Sequence, residues 1–166
     1  MVDVVLCLGS NLGDRASKMG QMERNLARVL LPPISKSRLM ETEPLGVTAG
    51  HPWYYNRLVR GRYGRTPREL LEICQAIEQK LGRERPEKYA PRTADIDILL
   101  FGDQAINEKD LIIPHRHILD RRFCLEGLAE IAGDWIVPGL LKPVNALMKE
   151  MAAGVKNQKI KKPVNA

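Results

Sequence analysis

The chain has 166 residues, of which 44% are hydrophobic and 28% charged, and a formal net charge of +6. That length and balance are ordinary for one globular domain that buries its core without covalent staples. No apolar run approaches the ~20 residues that span a bilayer, and Cys7, Cys74 and Cys124, far apart in apolar segments, read as reduced core residues rather than a disulfide framework or a zinc site.

The excess of positive charge favours anionic partners, from nucleotides to nucleic acids, without choosing between them. The opening "MVDVVLCLGSNLGD" has no basic n-region and no small-residue cleavage site, so no signal peptide is expected and the protein reads as cytoplasmic. Its segment "DVVLCLGSN" reads as a buried strand that ends in a Gly-Ser-Asn turn. A helical stripe follows at Met19, Met22, Leu26, Val29 and Leu30, with Pro32-Pro33 expected to stop the helix. Residues 34–42 read as an exposed strand of weak alternation. The loop "EPLGVTAGHPWYYN" combines Gly and Pro with three aromatics, and loops that keep large apolar side chains tend to close over something. Residues 56–63 then read as a strand whose Arg57, Arg60 and Arg62 suggest a sheet edge.

The second helix is sharply bounded. Thr66 is placed to cap its N-terminus, Pro67 fills the first turn, Glu69 completes a capping box, and Gly82 stands at the C-terminal cap. Leu70, Cys74, Ile77 and Leu81 form its buried stripe, while Gln75 and Glu78 share another face one turn apart. The charged loop "RERPEKYAPR" leads into "PRTADIDILLFG", residues 91–102. Read with period two, Ala94, Ile96, Ile98 and Leu100 share one face, and Asp95, Asp97, Leu99 and Phe101 the other. Gly102-Asp103 breaks the strand, "QAIN" and "DLIIPH" suggest a short hairpin, and a last helix over about 121–132 packs through Cys124, Leu125, Leu128 and Ile131. Residues 1–154 read as a single domain and 155–166 as a basic, flexible tail. The pentapeptide KPVNA at 142–146 and 162–166 is too short for a repeat unit. Strands and helices do not alternate regularly, which favours an α+β sandwich with a mostly antiparallel sheet.

Two aspartates on one strand face, roughly 7 Å apart, repel each other unless a cation lies over them. One reading is a solvated acidic face, or salt bridges to neighbouring arginines. The other is a site for Mg²⁺, a hard cation that takes one or two carboxylates and completes its shell with substrate phosphates. Arg83, Arg85, Lys88 and Arg92 lie within the twelve or so residues upstream of Asp95, and guanidinium donors beside metal-binding carboxylates match what a polyphosphate–Mg²⁺ substrate demands. "GSNLGDRAS" is neither a P-loop nor a dinucleotide fingerprint, so side chains and metals must hold any nucleotide. His115, between Pro114 and Arg116 with His117 beyond, adds a cluster suited to anions. Tyr54, Asn56 and Phe123 could grip a flat ring, although core packing is the plainer reading of Phe123.

"PRTADIDILLFG" resembles the signature of the 6-hydroxymethyl-7,8-dihydropterin pyrophosphokinases of folate biosynthesis. "LGSNLGDR", "TEPLG", "HPWYYN", "QAIEQKLGR" and "IPHRHILDRRF" agree in order, so that the resemblance runs from about Leu8 to Pro138. It implies a ferredoxin-like α+β sandwich and a transferase that moves the β,γ-pyrophosphoryl group of ATP to the pterin hydroxymethyl oxygen, releasing AMP. Carried over by motif, Asp95 and Asp97 would hold two Mg²⁺ ions arriving with ATP. Arg83 and Arg92 would act with them on the phosphates as the catalytic group. Gln75, Glu78, Arg85, Lys88, Arg92, Ile98, His115 and Arg116 would bind the nucleotide. Thr42, Pro44, Leu45, Gly46, Tyr54, Asn56, Tyr89 and Phe123 would bind the pterin. The implied partners are small molecules only, with no nucleic acid and no membrane, and the chain is expected to be a monomer. Tyr89 stands where many members carry Trp, Arg116 where an aromatic is common, and Asp110 and Ile112 where basic and hydroxyl residues are usual, departures that bear on nucleotide affinity.

Two rival readings keep part of this pattern. A basic α+β sandwich could bind RNA through its sheet, but the chain lacks a run of paired aromatics and the aspartates would repel phosphates. A metal-dependent phosphodiesterase or nuclease would keep the aspartates and leave the aromatic loop without a role.

Overall fold

The computed structural model describes residues 1–46, 50–82 and 94–164. In chain order the elements are β1 (Val2–Ser10), α1 (Arg15–Leu26), β2 (Leu31–Lys36), β3 (Met40–Thr42), β4 (Tyr54–Tyr63), α2 (Pro67–Lys80), β5 (Asp95–Phe101), β6 (Ile106–Glu108), β7 (Leu111–Ile113), α3 (Arg122–Ala132), β8 (Ile136–Val137), β9 (Lys142–Pro143), α4 (Val144–Lys149), α5 (Ala153–Lys156) and β10 (Ile160–Lys161). Among the described residues the main sheet runs β10-β3-β4-β1-β5, with β2 also on β4, and every pairing is antiparallel. With α1 and α2 as crossovers, the spatial order β3-β4-β1-β5 is that of a ferredoxin-like α+β sandwich.

Each face of the sheet has its own core. Val4, Leu6, Leu8, Ile96 and Ile98 pack against Met19, Met22 and Leu26 of α1 and Leu70, Cys74 and Ile77 of α2. The opposite face, through Val5, Cys7, Leu58, Leu99 and Leu100, meets Phe123, Cys124, Leu125 and Leu128 of α3 and Val144 and Leu147 of α4. Side chains such as Met22, Leu58 and Leu100, with no exposed surface, each contribute roughly 1.5–3 kcal/mol by leaving water.

The local signals of α2 are realised. The Thr66 side chain accepts from Glu69 N, the Glu69 carboxylate accepts from Thr66 N, Pro67 lies in the first turn, and Gly82 takes φ +86° just past the helix. Burial raises the pKa of the Cys74 thiol well above its usual range.

Several expectations are corrected. The first helix ends at Leu26, and Pro32-Pro33 lie inside β2, an exposed strand whose Pro32 carbonyl accepts from Arg62 Nε at 2.7 Å. The exposed strand read over 34–42 divides at Ser37–Leu39 into β2 and β3. β4 is not an edge but is flanked by β1 on one side and by β2 and β3 on the other. Its arginines are tolerated there because partners reach them from elsewhere, Glu23 for Arg57 at 2.8 Å and Asp3 for Arg60 at 2.7 Å.

The period-two reading of β5 holds only for its first half. Leu6 pairs with Ile98 but Val5 with Leu100, a bulge that gives Leu99 no partner on β1. Past it the parity flips, so that Leu100 joins the α3 side, on which Cys7 pairs with Asp97, and Phe101 joins Ile96 and Ile98 on the α1–α2 side. His115 N donates to Leu99 O at 2.9 Å.

The tail is also corrected. Ile160 pairs with Thr42 and Lys161 with Glu41, so residues 160 and 161 extend the sheet rather than fray. KPVNA is not a structural repeat, since Lys142-Pro143 form β9 and Val144 opens α4, whereas Lys162 and Pro163 lie beyond the last strand. No described helix is long and apolar enough to cross a membrane.

Candidate active site

Where β1, β4 and β5 meet on the α3 side, the sheet opens a cavity of about 270 Å³. Its floor is Cys7 and Gly9 of β1, with Asp97 and Asp95 opposite them on β5 and Asn56 opposite Gly9 on β4. Thr42, Pro44, Leu45, Tyr54, Phe123, His115, Arg116, His117 and Arg121 also line the cavity. Seven of the expected site residues on the pterin side lie within the described chain, and six of them line this cavity; Gly46, at φ +68°, follows Leu45 without lining it.

The floor requires a glycine. A Cβ on Gly9 would stand 2.9 Å from Asn56 Oδ1 and 3.9 Å from Asp95 Cβ. The Asn56 amide is held in turn, since its Nδ2 donates to Thr42 Oγ1 at 2.7 Å, and both residues are buried. A neutral amide fixed this way presents its remaining polar edge to a ligand in one orientation. Beneath it Cys7 is inert: its hydrogen bond with Cys124, reinforced by burial, raises the pKa of the thiol well above its usual range.

A second cavity of about 200 Å³ adjoins the first and shares Asp97, His115 and Arg116 with it. Leu71, Ile96, Ile98, the turn residues Lys109 and Asp110, and Leu111 and Ile112 of β7 form its other walls. Asp97 therefore stands at the border between the two spaces, and Asp95 lines the first alone. Gln75, half-buried on α2, lines neither. Arg83, Arg85, Lys88, Tyr89 and Arg92 lie outside the described residues.

The electrostatics around Asp97 are specific. Its Oδ2 lies 3.8 Å from His115 Nε2 and 3.8 Å from Arg121 Nη1. Burial, with the nearby Arg121 and His117, lowers His115 to about 4, so the ring is neutral at physiological pH. His117 N donates to His115 Nδ1 at 3.2 Å, which leaves the ring proton on Nε2, directed towards the carboxylate. Among the described residues no three His, Cys, Asp or Glu side chains converge as a closed metal cage. Two partly exposed carboxylates fit Mg²⁺, which keeps water and phosphate oxygens in its shell.

One expected nucleotide contact, Glu78, and one departure from the family pattern, Asp110, have partners within the protein. Glu78 is buried, and its Oε1 accepts from Ile96 N at 2.8 Å, fixing the strand that carries the aspartates. Asp110 accepts from Arg68 Nη1 at 2.7 Å and Glu108 pairs with the same guanidinium, which explains an acid at that turn. Reasoning from sequence missed Gly9, Arg121 and Gln158 as cavity residues. Arg121, next to Phe123 in the segment "HILDRRF", carried a usable signal; Gln158, in the supposed tail, carried none.

The family profile for 7,8-dihydro-6-hydroxymethylpterin-pyrophosphokinase (HPPK) matches residues 5–133. A 2-amino-4-hydroxy-6-hydroxymethyldihydropteridine pyrophosphokinase of Methylorubrum extorquens is 37% identical over 140 residues, 84% of this chain and 88% of that one. A Bacillus subtilis protein of the same name is 40% identical over 127 residues, 76% of this chain and 75% of its own. Among solved structures, a Plasmodium falciparum HPPK-DHPS chain superposes with a TM-score of 0.72 at 17% identity over 93% of this chain, and this chain spans 46% of it. The likeness to that longer protein is one of fold. The chain belongs to the HPPK family.

Proposed function

From that membership we infer that the chain transfers a pyrophosphoryl group from ATP to the hydroxymethyl oxygen of 6-hydroxymethyl-7,8-dihydropterin in folate biosynthesis, releasing AMP. The observation that carries the reading is the Asp95/Asp97 pair in a cavity that Tyr54, Asn56 and Phe123 also line, with Asp97 shared with a second, adjoining cavity. An RNA-binding sheet is disfavoured, because helices cover both faces of the main sheet.

The pterin lies between Tyr54 and Phe123, over Gly9, with the pinned Asn56 amide reading its edge. Thr42, Pro44 and Leu45 close the slot, with Gly46 turning the loop and Tyr89 adding a further aromatic face. The slot brings the substrate alcohol to the β-phosphorus, and such alignment is worth several kcal/mol of barrier in principle. The alcohol oxygen forms a bond to Pβ as the bond from Pβ to the α,β-bridging oxygen breaks. AMP departs with that oxygen, and the alcohol proton passes to solvent; no covalent enzyme intermediate is required.

Asp95 and Asp97 hold two Mg²⁺ ions, which supply charge neutralisation on the phosphate oxygens. His115 donates from Nε2, and Arg83, Arg92, Arg85, Lys88 and Arg116 contribute positive charge along the phosphates. Ile98 and Leu71 provide an apolar wall, and Gln75 and Glu78 support the nucleotide side from α2. The chain works as a monomer in the cytoplasm.

The test is direct. The purified protein is incubated with ATP, MgCl₂ and the hydroxymethyl dihydropterin, and the nucleotide product is identified by chromatography. AMP that forms only with the pterin present supports the reading. ADP, pterin-independent AMP or no turnover overturns it.

A further inference from the structure

The C-terminal segment lies beyond the residues matched by the family profile, yet it reaches the candidate pterin slot. Gln158 is only 3% exposed in a run otherwise rich in lysine, and its side chain lines the cavity. Its Oε1 accepts from Phe123 N at 3.4 Å, and its Nε2 donates to Glu43 O at 3.3 Å. Those contacts join the two walls of the slot. Glu43 opens the loop that carries Pro44 and Leu45, and Phe123 lies in the first turn of α3.

That first turn has a vacancy for an acceptor. The N-cap residue of α3, Arg121, makes no side-chain cap, so the Gln158 oxygen supplies from outside what the local sequence omits. The segment is itself anchored around Gln158. Lys159 N donates to Glu43 Oε1 at 2.7 Å, Glu43 N to Lys159 O at 3.1 Å, and Arg122 Nη1 to Lys156 O and Gln158 O, both at 3.2 Å. Further along, β10 pairs with β3 beside Thr42, and Lys161 Nζ lies 4.2 Å from the Trp53 ring centroid.

We propose that Gln158 is a positioning residue of the pterin site, setting the width of the slot by tying the Glu43–Leu45 loop to the start of α3. The inference rests on the proposed function, because the slot is taken as the pterin subsite. A buried amide suits this task, because one carbonyl and one NH₂ satisfy an N–H and a C=O that face each other across the gap.

The experiment uses the full chain with Gln158→Glu and Gln158→Ala. Glutamate keeps the acceptor for Phe123 N but sets a carboxylate oxygen against the Glu43 carbonyl, so the loop loses its tie while α3 keeps its cap. Pterin and ATP are titrated separately by calorimetry, KM for each is measured in the AMP assay, and thermal midpoints are recorded. Expected for Gln158→Glu is a fall in pterin affinity of about five- to tenfold, the worth of roughly one hydrogen bond, with ATP affinity unchanged. Gln158→Asn, too short to bridge, should resemble Gln158→Ala. An equal loss of ATP and pterin affinity, or unchanged pterin affinity in a wild-type-active protein, overturns this inference alone. Absence of pterin-dependent AMP in the wild type overturns the functional reading and this inference with it.

Discussion

Replacing Gly9 by alanine tests the site and the packing beneath it together. The new Cβ would stand 2.9 Å from Asn56 Oδ1, closer than real Cβ atoms tolerate. The amide is the far end of a side chain and could swing away, but its Nδ2 is tied to Thr42 Oγ1 at 2.7 Å. Both residues are buried, so swinging leaves polar atoms without partners, at a cost of about 1–3 kcal/mol. Alanine is better suited than glycine to a strand interior by roughly 0.5–1 kcal/mol. The net is a destabilisation of about 0.5–2 kcal/mol, or a midpoint lower by roughly 2–6 °C for a chain of this size. Because the amide edge moves, pterin affinity should drop about tenfold while ATP affinity holds. Scanning calorimetry and separate titrations of the two substrates read both effects. In an Asn56→Ala background the clash has no target, and the Gly9→Ala penalty should vanish. A Gly9→Ala protein with an unchanged midpoint and unchanged pterin affinity would refute the description of the floor.

Three further outcomes follow from the same geometry. Asp97→Ala should lose most AMP formation and its Mg²⁺ dependence yet keep its circular-dichroism spectrum, since the side chain is partly exposed and one like-charge repulsion with Asp95 disappears; near-native turnover would refute the metal assignment. His115, held at about 4 by burial and by Arg121, binds fewer protons folded than unfolded between that value and 6.5. Its contribution to stability is therefore full above pH 6.5 and lost as pH falls towards 4, at most about 3 kcal/mol; denaturant titrations of metal-free protein should show the slope, and His115→Gln should flatten it. Glu78→Ala strands the buried Ile96 N–H and should cost about 2–3 kcal/mol, whereas Glu78→Gln keeps the acceptor and most of the stability; equal losses by urea denaturation would count against that role.

Much of the fold was legible wherever the deciding interactions are local. The Thr66–Glu69 box joins residues three apart, so the start of α2 could be read from spacing, and so could its stripe. The aspartate pair was legible because period two holds from Asp95 to Ile98, ahead of the bulge. It failed at Leu100 and Phe101 because a bulge arises from pairing with β1, which one strand's pattern does not contain. The arginines of β4 suggested an edge for the same reason: Glu23 and Asp3, which neutralise them, are more than thirty residues distant in the chain.

The sequence alone determined the chemistry available: two carboxylates on one strand face, a basic surround, a neutral amide and aromatics for a flat ring, in an order that resembles one enzyme family. Periodicity and capping are short-range effects, and a motif keeps its residues together whatever the rest of the chain does. Only the tertiary structure decided that the aspartates share one cavity and that Asp97 also borders a second, that Glu78 braces their strand, and that Gln158 reaches the slot from a segment that reads as a tail. Those relations depend on which distant segments pack together, and the energy that selects them comes from burial and pairing across the whole sheet.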